Sequence, residues 1–571
     1  MPKSNVEIRK GVYYDSVTLM QLQAALINLP GVTNAGVMMG TDANKALLKQ
    51  SGLIQEIDAA ETDLIISLRG DDEDALQSAF AQIDPLLSRR RSAEDQDYLP
   101  KTLTAAVKML PEAAWVLVSV PGLYAADVAR EGLNLGKNVF LYSDNVSLED
   151  EIALKKTAVE KALLVMGPDC GTAIINGIGL GFANKVRQGP IGLIGASGTG
   201  LQQVATQLHQ LGSGVSHAIG TGGRDLRREV GGITAQQAWD LLLKDEDTKV
   251  VVIISKPPSP EVAAAFLTRA RLAGKPIVLN FMGYSPLVDA ENNTNVHFVK
   301  TLDEAARVAA SLVDSKPAKP ASEKPHASNF AATQKYLRAL FSGGTLAYEM
   351  LLILQDFLPD LYSNIPLRKE QALPDPLHSR HHTVLDLGED VFTVGRPHPM
   401  LDNTLRLQRF EQEARDPSVA VILLDVVLGF GAHPDPASEL APAIAKAISA
   451  AKKAGRTLDV VALVVGTDED PQDLKSQIKK LKDAGARIET SSEKAALYIG
   501  QKLQADDKPK KIPQVDIQLF KQPLQAINVG LESFTESLRA QEATVVHVDW
   551  RPPAGGNEKL MSILERMKQK G

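Results

Sequence analysis

The apolar positions of the chain form short continuous runs that alternate with segments of helical periodicity. Residues 115–120 (WVLVSV), 249–254 (KVVVII) and 419–427 (VAVILLDVV) are such runs. Runs of this kind, bounded by turn residues, are typical of parallel strands buried on both faces. Between them, apolar residues recur every three or four positions, as in 201–211, which indicates amphipathic helices. The pattern predicts an α/β protein of several domains.

The N-terminal part has a different order. Residues 1–102 are expected to contain strand, helix, strand, strand and helix, a small ferredoxin-like α+β domain that ends in a charged connector (SRRRSAEDQDYLPKT). The remaining boundaries are α/β units at 103–172, 173–314 and 330–505, a Lys/Pro/Ser/Ala linker at 315–329, and a thin segment at 514–571. That last segment is too small for a core of its own, so we expect it to dock on another domain or on a partner.

Composition narrows the classes of function. The 571 residues carry a net charge of −7, so the chain has no basic field to hold nucleic acid or an anionic membrane. Its one cysteine, Cys170, suits a reducing compartment, and we expect it to be a small buried residue. The first residues lack the apolar core of a signal peptide, and no window is apolar enough to span a membrane. We therefore expect a soluble cytoplasmic protein.

The stretch GASGTG, residues 195–200, joins an apolar run to a helical pattern. Its spacing does not fit a dinucleotide fingerprint, because the third position holds Ser197, and it lacks the lysine of a P-loop. Two alternatives remain. The stretch is either a tight structural turn or a helix N-terminus whose free amides, with Ser197, Gly198, Thr199 and Gly200, bind an anion.

A second strand, glycine turn and helix lies in the other half of the chain. Gly429, Gly431 and Ala432 follow the run at 419–427, so two helix N-termini could converge on one phosphate. His433 is either a donor to that anion or an exposed cap residue. The segment HSRHH (378–382) lies in a Pro-rich loop without carboxylate or thiol support, so we predict no metal site.

Longer motifs resemble a known family. WVLVSVPG, GKNVFLYSDNVSLED, GPIGLIGASGTG and AIGTGGRDL are similar to the α subunit of succinyl-CoA synthetase, and TVLDLGEDVFTVGRPHP with VAVILLDVVLGFGAHPD resembles the C-terminal domain of its β subunit. GPDCGTAIING, GRPHPMLDN and the tail INVGLESF…VVHVDWRPPAGGN are similar to the FdrA family. The resemblance implies a Rossmann-type CoA-binding-like domain at 103–172 and two flavodoxin-like ligase domains at 173–314 and 330–505.

The chain departs from the synthetase pattern at three places. No histidine stands between His217 and His297, where the synthetases carry their phosphohistidine. The Gly-rich segment that opens their CoA-binding domain is replaced by the N-terminal unit, and no ATP-grasp domain precedes the β-like half. These departures imply that ATP-driven phosphohistidine chemistry is lost and that phosphate or acyl-phosphate binding survives.

The resemblance to FdrA implies a subunit of an oxamate carbamoyltransferase system of allantoin and purine degradation, in which phosphate attacks oxalurate to give oxamate and carbamoyl phosphate. It implies no cofactor, and as partners phosphate, oxalurate, carbamoyl phosphate, neighbouring allantoin-pathway proteins and a second copy of the chain. The alternatives are an acyl-CoA synthetase, which would use CoA and ATP, and a non-catalytic scaffold subunit. Catalytic residues are not identified; besides the two turns, the expected anion ligands are Gly222, Gly223, Arg224, Arg396 and His398.

Overall fold

The computed structural model describes residues 3–551 except 13, 15, 42–43, 46–47, 50, 56, 61–62, 89–98, 284–294, 315–329, 332, 356, 359, 394–396 and 504–521. The chain divides into two compact units, 1–106 with 390–398 and 547–571, and 107–389 with 399–546. Among the described residues, none of the helices has the length and hydropathy needed to cross a membrane.

The first unit contains an antiparallel sheet in the order β1-β3-β2, formed by β1 (Lys3–Arg9), β2 (Val32–Met39) and β3 (Leu64–Gly70). Its helices span Ser16–Ile27, Glu73–Ala81, Ile83–Ser88 and Asp390–Thr393. Asp72 caps the second of these by accepting a hydrogen bond from the amide of Ala75 at 2.9 Å. Leu26, Leu64 and Leu76 pack in the core. The unit is α+β, as the sequence predicts.

The second unit contains three sheets. The first has seven strands in the order β13-β12-β11-β9-β10-β7-β8, and it is parallel from β13 to β10. The hairpin β7–β8 is added antiparallel. The strands are β7 (Thr172–Ile175), β8 (Ile178–Gly181), β9 (Gln188–Gly195), β10 (Val215–Gly220), β11 (Val250–Ser255), β12 (Ile277–Phe281) and β13 (Val296–Val299). The helices are Gly198–Gln210, Ile233–Lys244, Pro260–Ala270 and Leu302–Asp314.

The next sheet is entirely parallel, in the order β15-β16-β14-β17-β18-β19. Its strands are β14 (Tyr336–Phe341), β15 (Leu361–Ser363), β16 (His382–Asp386), β17 (Val419–Val427), β18 (Asp459–Val465) and β19 (Arg487–Glu489). The helices are Gly344–Leu354, Thr404–Arg415, Pro436–Lys453, Leu474–Asp483 and Ser492–Leu503, with a 3-10 turn at Lys369–Gln371. Leu201 and Val204 share one core with Leu346 and Met350, so helices Gly198–Gln210 and Gly344–Leu354 join the two sheets.

The remaining sheet has the order β21-β20-β4-β5-β6, formed by β4 (Trp115–Val118), β5 (Asn138–Leu141), β6 (Val165–Met166), β20 (Gln525–Val529) and β21 (Thr544–Val548). Its helices span Gly122–Asn134, Leu148–Glu160 and Glu532–Ala540, and helix Leu103–Met109 spans the boundary between the two units. β20 pairs in parallel with β4, with Ala526 opposite Trp115. The C-terminal segment therefore completes the Rossmann-type sheet of its own chain.

Candidate functional site

The Gly-rich stretch that follows β9 forms a capped helix N-terminus. Ser197 is the N-cap of helix Gly198–Gln210, and its hydroxyl accepts a hydrogen bond from the amide of Gly200 at 3.3 Å. A Cβ at Gly198 would lie 3.0 Å from Oγ1 of Thr172, so this glycine allows the turn to approach β7. Thr199 is buried. The geometry provides free amides at the carboxyl end of a parallel strand.

The structure gives the other predicted turn a different role. Gly429 and Gly431 have φ values of 117° and 78°, and a Cβ would lie 2.6 Å and 2.8 Å from the carbonyl oxygens of Ala183 and Gly181. These glycines therefore permit close packing of two backbones. The following helix begins at Pro436 and is capped by Asp435, so Ala432 does not start it.

His433 does not project as an unengaged donor beside that turn. Its Nδ1 accepts a hydrogen bond from the amide of Asp435 at 3.0 Å, and its Nε2 lies 3.2 Å from Oε1 of Glu439. The side chain is thus one of the groups that hold the start of the helix.

The helix that meets Ser197 begins after β14. Helix Gly344–Leu354 has Gly343 as its N-cap, and the hydroxyl of Thr345 is hydrogen-bonded to the hydroxyl of Ser197. A Cβ at Gly343 would lie 2.2 Å from Cγ2 of Thr199. The N-termini of two helices, one following β9 and the other following β14, therefore lie side by side. The sequence carried the signal for this element: FSGGTL, residues 341–346, has the same order of strand, glycines, hydroxyl residue and helix as GASGTG.

Charged side chains border this point. A Cβ at Gly344 would lie 2.3 Å from Oδ2 of Asp386 and 2.9 Å from Nζ of Lys256. Lys256 follows β11 and Asp386 ends β16, so both come from carboxyl ends of parallel strands. Burial raises the pKa of Asp386 to about 7, against the opposing effect of Lys256. The sequence analysis identified neither residue.

Asp169 is a second carboxyl near the same lysine, and this residue is exposed to solvent. The surrounding protein is the main cause that raises its pKa; Asp144 adds to the shift and Lys256 opposes it. The predicted ligands Gly222 and Gly223 lie against this segment. A Cβ at Gly222, whose φ is 85°, would lie 2.3 Å from the carbonyl oxygen of Pro168, and one at Gly223 would lie 3.3 Å from Oδ2 of Asp169. The two glycines allow the loop to pass this carboxyl.

Arg224 is held by the protein. Its Nε donates to Oε2 of Glu151 at 2.8 Å, and one terminal nitrogen donates to the carbonyl of Val146. Glu151 is also paired with the fully buried Lys155, which contacts Asp225 at 2.6 Å. One guanidinium nitrogen of Arg224 thus belongs to a buried ionic network that joins helix Leu148–Glu160 to the loop after β10, and a second binds the backbone at Val146.

The other candidates lie elsewhere. Arg396 is outside the described residues, and His398 belongs to the first unit. Cys170 is buried, and burial raises the pKa of its thiol to about 12, so the thiol stays protonated near neutral pH. In HSRHH, His378 contacts Asp375 at 2.6 Å. The described part of the chain has no group of three or more His, Cys, Asp or Glu arranged to hold a metal ion.

Known families match most of the chain. The CoA-ligase model matches residues 340–501, the CoA binding domain model matches 186–283, and a model described as the AllF heavy metal-associated domain matches 1–101. The CoA binding match thus falls on the seven-stranded sheet, C-terminal to the 103–172 segment for which the resemblance implied a CoA-binding-like domain.

Two individual proteins show partial similarity to the chain. The chain is 26% identical to subunit alpha 1 of the ADP-forming succinate–CoA ligase of Archaeoglobus fulgidus over 216 residues, 35% of this chain and 72% of that one. A solved acetyl-coenzyme A synthetase 1 of Ca. Korarchaeum cryptofilum covers 75% of this chain at 15% identity, with 84% of its own chain covered and a TM-score of 0.29, which is too low to compare sites.

An extensive similarity links the chain to a protein of Escherichia coli (strain K12). The uncharacterized protein YahF is 42% identical over 505 residues, which cover 86% of this chain and 97% of YahF. Identity at this level over nearly the whole relative shows common descent and a common fold. The chain, whose own CoA-binding and CoA-ligase domains are of the succinyl-CoA synthetase type, belongs to the family of YahF.

Proposed function

We propose that this chain is a group-transfer enzyme subunit that binds phosphate or an acyl phosphate where helices Gly198–Gln210 and Gly344–Leu354 begin. The hydrogen bond between Ser197 and Thr345 carries the proposal, because it brings two sets of free backbone amides together. Each helix N-terminus carries roughly half a positive charge. Lys256 adds a full positive charge beside Gly344. This combination suits a compact anion with several oxygen atoms.

The reaction that we assign first to this site is phosphate-dependent carbamoyl transfer. An oxygen of phosphate attacks the carbamoyl carbon of oxalurate, the new C–O bond forms carbamoyl phosphate, and the broken C–N bond leaves oxamate, whose nitrogen takes a proton. The protein contributes position and charge, by holding the dianion and stabilising negative charge that develops on the carbonyl oxygen. The resemblance of the chain to the FdrA family supports this assignment, and residues 1–101 match a domain model named for AllF.

A second candidate is acyl-CoA synthesis of the ligase type. The CoA-ligase and CoA binding domain matches and the succinate–CoA ligase relative favour it, and they support the family more directly than they support carbamoyl transfer. In this reaction the same anion site would hold an acyl phosphate while CoA attacks its carbonyl carbon. Both candidates therefore use one phosphate site and differ in the group that enters or leaves.

One product analysis separates the two reactions. Purified chain, alone and with the proteins encoded beside it, is incubated with oxalurate and phosphate, and in parallel with succinate, CoA and ATP. Phosphorus NMR that detects carbamoyl phosphate supports carbamoyl transfer, whereas succinyl-CoA supports the ligase. Activity that appears only with the neighbouring proteins defines the chain as a subunit. If neither product forms under any condition, the scaffold alternative replaces both.

A further inference from the structure

One lysine and one carboxyl share the start of helix Gly344–Leu354. The positions of Lys256 Nζ and Asp386 Oδ2 lie 2.9 Å and 2.3 Å from the point where a Cβ of Gly344 would be. The N-cap residue of this helix, Gly343, provides no side-chain cap. Ser197, in contrast, caps its own helix through the amide of Gly200. Of these two helices, Gly344–Leu354 is therefore the one whose first amides receive no capping oxygen from the N-cap side chain.

Lys256 has no carboxylate in ion-pair contact within the part of the chain that the structure describes. Its ammonium lies 5.9 Å from the centre of the Tyr348 ring. It is close enough to Asp169 and Asp386 to oppose the rise of their pKa values. The ammonium of Lys256 therefore lies beside Gly344 without an ion-pair partner among the described residues.

Asp386 is only half engaged by the protein. Its side chain is buried, and Oδ1 accepts a hydrogen bond from the amide of Gly388 at 2.9 Å. Oδ2 makes no hydrogen bond with the described residues. Lys256 favours the ionised form, whereas three carboxylates oppose it: Glu389, Asp425 and Asp169. An ionised Asp386 would repel an anion at Gly344, but a protonated one would offer an O–H donor.

We propose that Lys256 and Asp386 are a positioning pair for a tetrahedral anion at Gly344, in which the ammonium holds the anion and Asp386 takes up one proton to donate from Oδ2. This inference rests on the phosphate site proposed above and names its ligands. The proton comes from solvent and stays on Oδ2 while the anion is bound. The ligand class is a phosphate-like dianion, such as inorganic phosphate or the phosphoryl end of an acyl phosphate.

Sulfate is the probe that tests the pair, because it stays a dianion over the whole pH range in which phosphate itself titrates. Its binding to the full chain is measured by calorimetry between about pH 6 and about pH 8.5. If binding takes up one proton at Asp386, the affinity falls by up to about tenfold per pH unit above about pH 7. Buffers of different protonation enthalpy must then report uptake of up to one proton per sulfate.

Three variants test which side chains determine the strength and the pH dependence of sulfate binding. Asp386→Asn keeps a donor and cannot ionise, so it should bind sulfate with little pH dependence and no proton uptake. Lys256→Gln should weaken sulfate at least about tenfold at every pH, because a charge-assisted contact is lost. Lys249→Gln is the matched control, since Lys249 precedes β11 at the opposite end of the strand that Lys256 follows; its affinity should equal that of the unchanged protein.

The outcomes separate this inference from the proposed function. Normal sulfate affinity in Lys256→Gln, or wild-type binding that lacks both pH dependence and proton uptake, would overturn the pair. In that case, loss of phosphate binding in Gly344→Ala would still support a phosphate site between the helices. If the unchanged protein binds neither sulfate nor phosphate at any pH, the proposed site is wrong and the pair with it. Thermal unfolding of each variant checks that the fold is kept.

Discussion

The hydroxyls of Ser197 and Thr345 are hydrogen-bonded, although 148 positions separate the two residues in the chain. One hydroxyl caps the helix after β9, and the other belongs to the first turn of the helix after β14. This contact fixes the relative position of the two helix starts more directly than the core around Leu201 and Leu346 does. A ligand that binds the free amides of one helix therefore meets the other.

Replacing Gly344 with alanine should block the anion site and leave the fold intact. The new methyl group would meet the side chains of Asp386 and Lys256 rather than backbone, so those side chains must move from the positions proposed for anion binding. We expect phosphate affinity to fall by at least about tenfold, equivalent to about 1.4 kcal/mol, as measured by calorimetry.

Gly274 provides the matched control for that substitution. A Cβ at this glycine would have no heavy atom within 4 Å, so Gly274→Ala should bind phosphate as the unchanged protein does. Equal phosphate affinities in Gly344→Ala and Gly274→Ala would show that Gly344 serves only the turn.

The fold class could be predicted from the sequence because continuous apolar runs and helical periodicity are local signals. The pairing of helix starts could not, because it depends on which two sheets pack together. The turn with Gly429 and Gly431 is the more conspicuous candidate for an anion site in the sequence. In the structure, its glycines allow close packing against the backbone at Ala183 and Gly181. Asp386 reads locally as the end of a strand, and only the tertiary structure brings it to Gly344.

Lys155 should be essential for stability. Its ammonium is fully buried and contacts Glu151 at 2.8 Å and Asp225 at 2.6 Å. Lys155→Met would leave the buried Asp225 without this cation and Glu151 with Arg224 alone. Breaking a buried ion pair from one side costs about 3–5 kcal/mol. The first transition in urea unfolding, followed by circular dichroism, should move to lower urea.

The neighbouring Lys156 is exposed, and Lys156→Met should leave that transition unchanged. A Lys155→Met protein as stable as the Lys156→Met control would mean that the fold does not depend on the Lys155 ion pairs.

Asp386→Asn should change the pH dependence of stability. Because burial raises the pKa of Asp386 to about 7, the native state keeps a proton that the unfolded chain loses near pH 4. The stability contributed by this proton is fully present below about pH 4 and is lost as pH rises toward about 7. Asparagine cannot ionise, and its amide oxygen can keep the hydrogen bond from the amide of Gly388.

The variant should therefore gain thermal stability relative to the unchanged protein at about pH 8 and show little difference at about pH 4. Scanning calorimetry at both pH values measures this, with exposed Asp247→Asn as the control. A difference between the proteins that does not vary with pH would contradict a raised pKa at Asp386.

Removing the C-terminal segment should damage the Rossmann-type sheet. Strand β20 lies between β21 and β4, so the C-terminal segment supplies two strands of this sheet. Truncation after Leu503 would expose β4, whose four residues Trp115–Val118 are buried, as an apolar sheet edge. The truncated protein should aggregate, whereas a chain ending after Arg551 should remain monodisperse in size-exclusion chromatography.

Gln541 offers a milder test of the same docking. Its Oε1 accepts a hydrogen bond from the amide of Gly179 at 2.9 Å, and its Nε2 donates to the carbonyl of Gly179 at 3.3 Å. Gln541→Ala leaves both buried backbone groups unpaired, which costs about 1–3 kcal/mol for each unsatisfied group. We expect faster hydrogen exchange in β20 and β8 while the sheet of β14–β19 exchanges at its normal rate. Unchanged exchange in β20 would mean that the pairing of β20 with β4 holds the segment without Gln541.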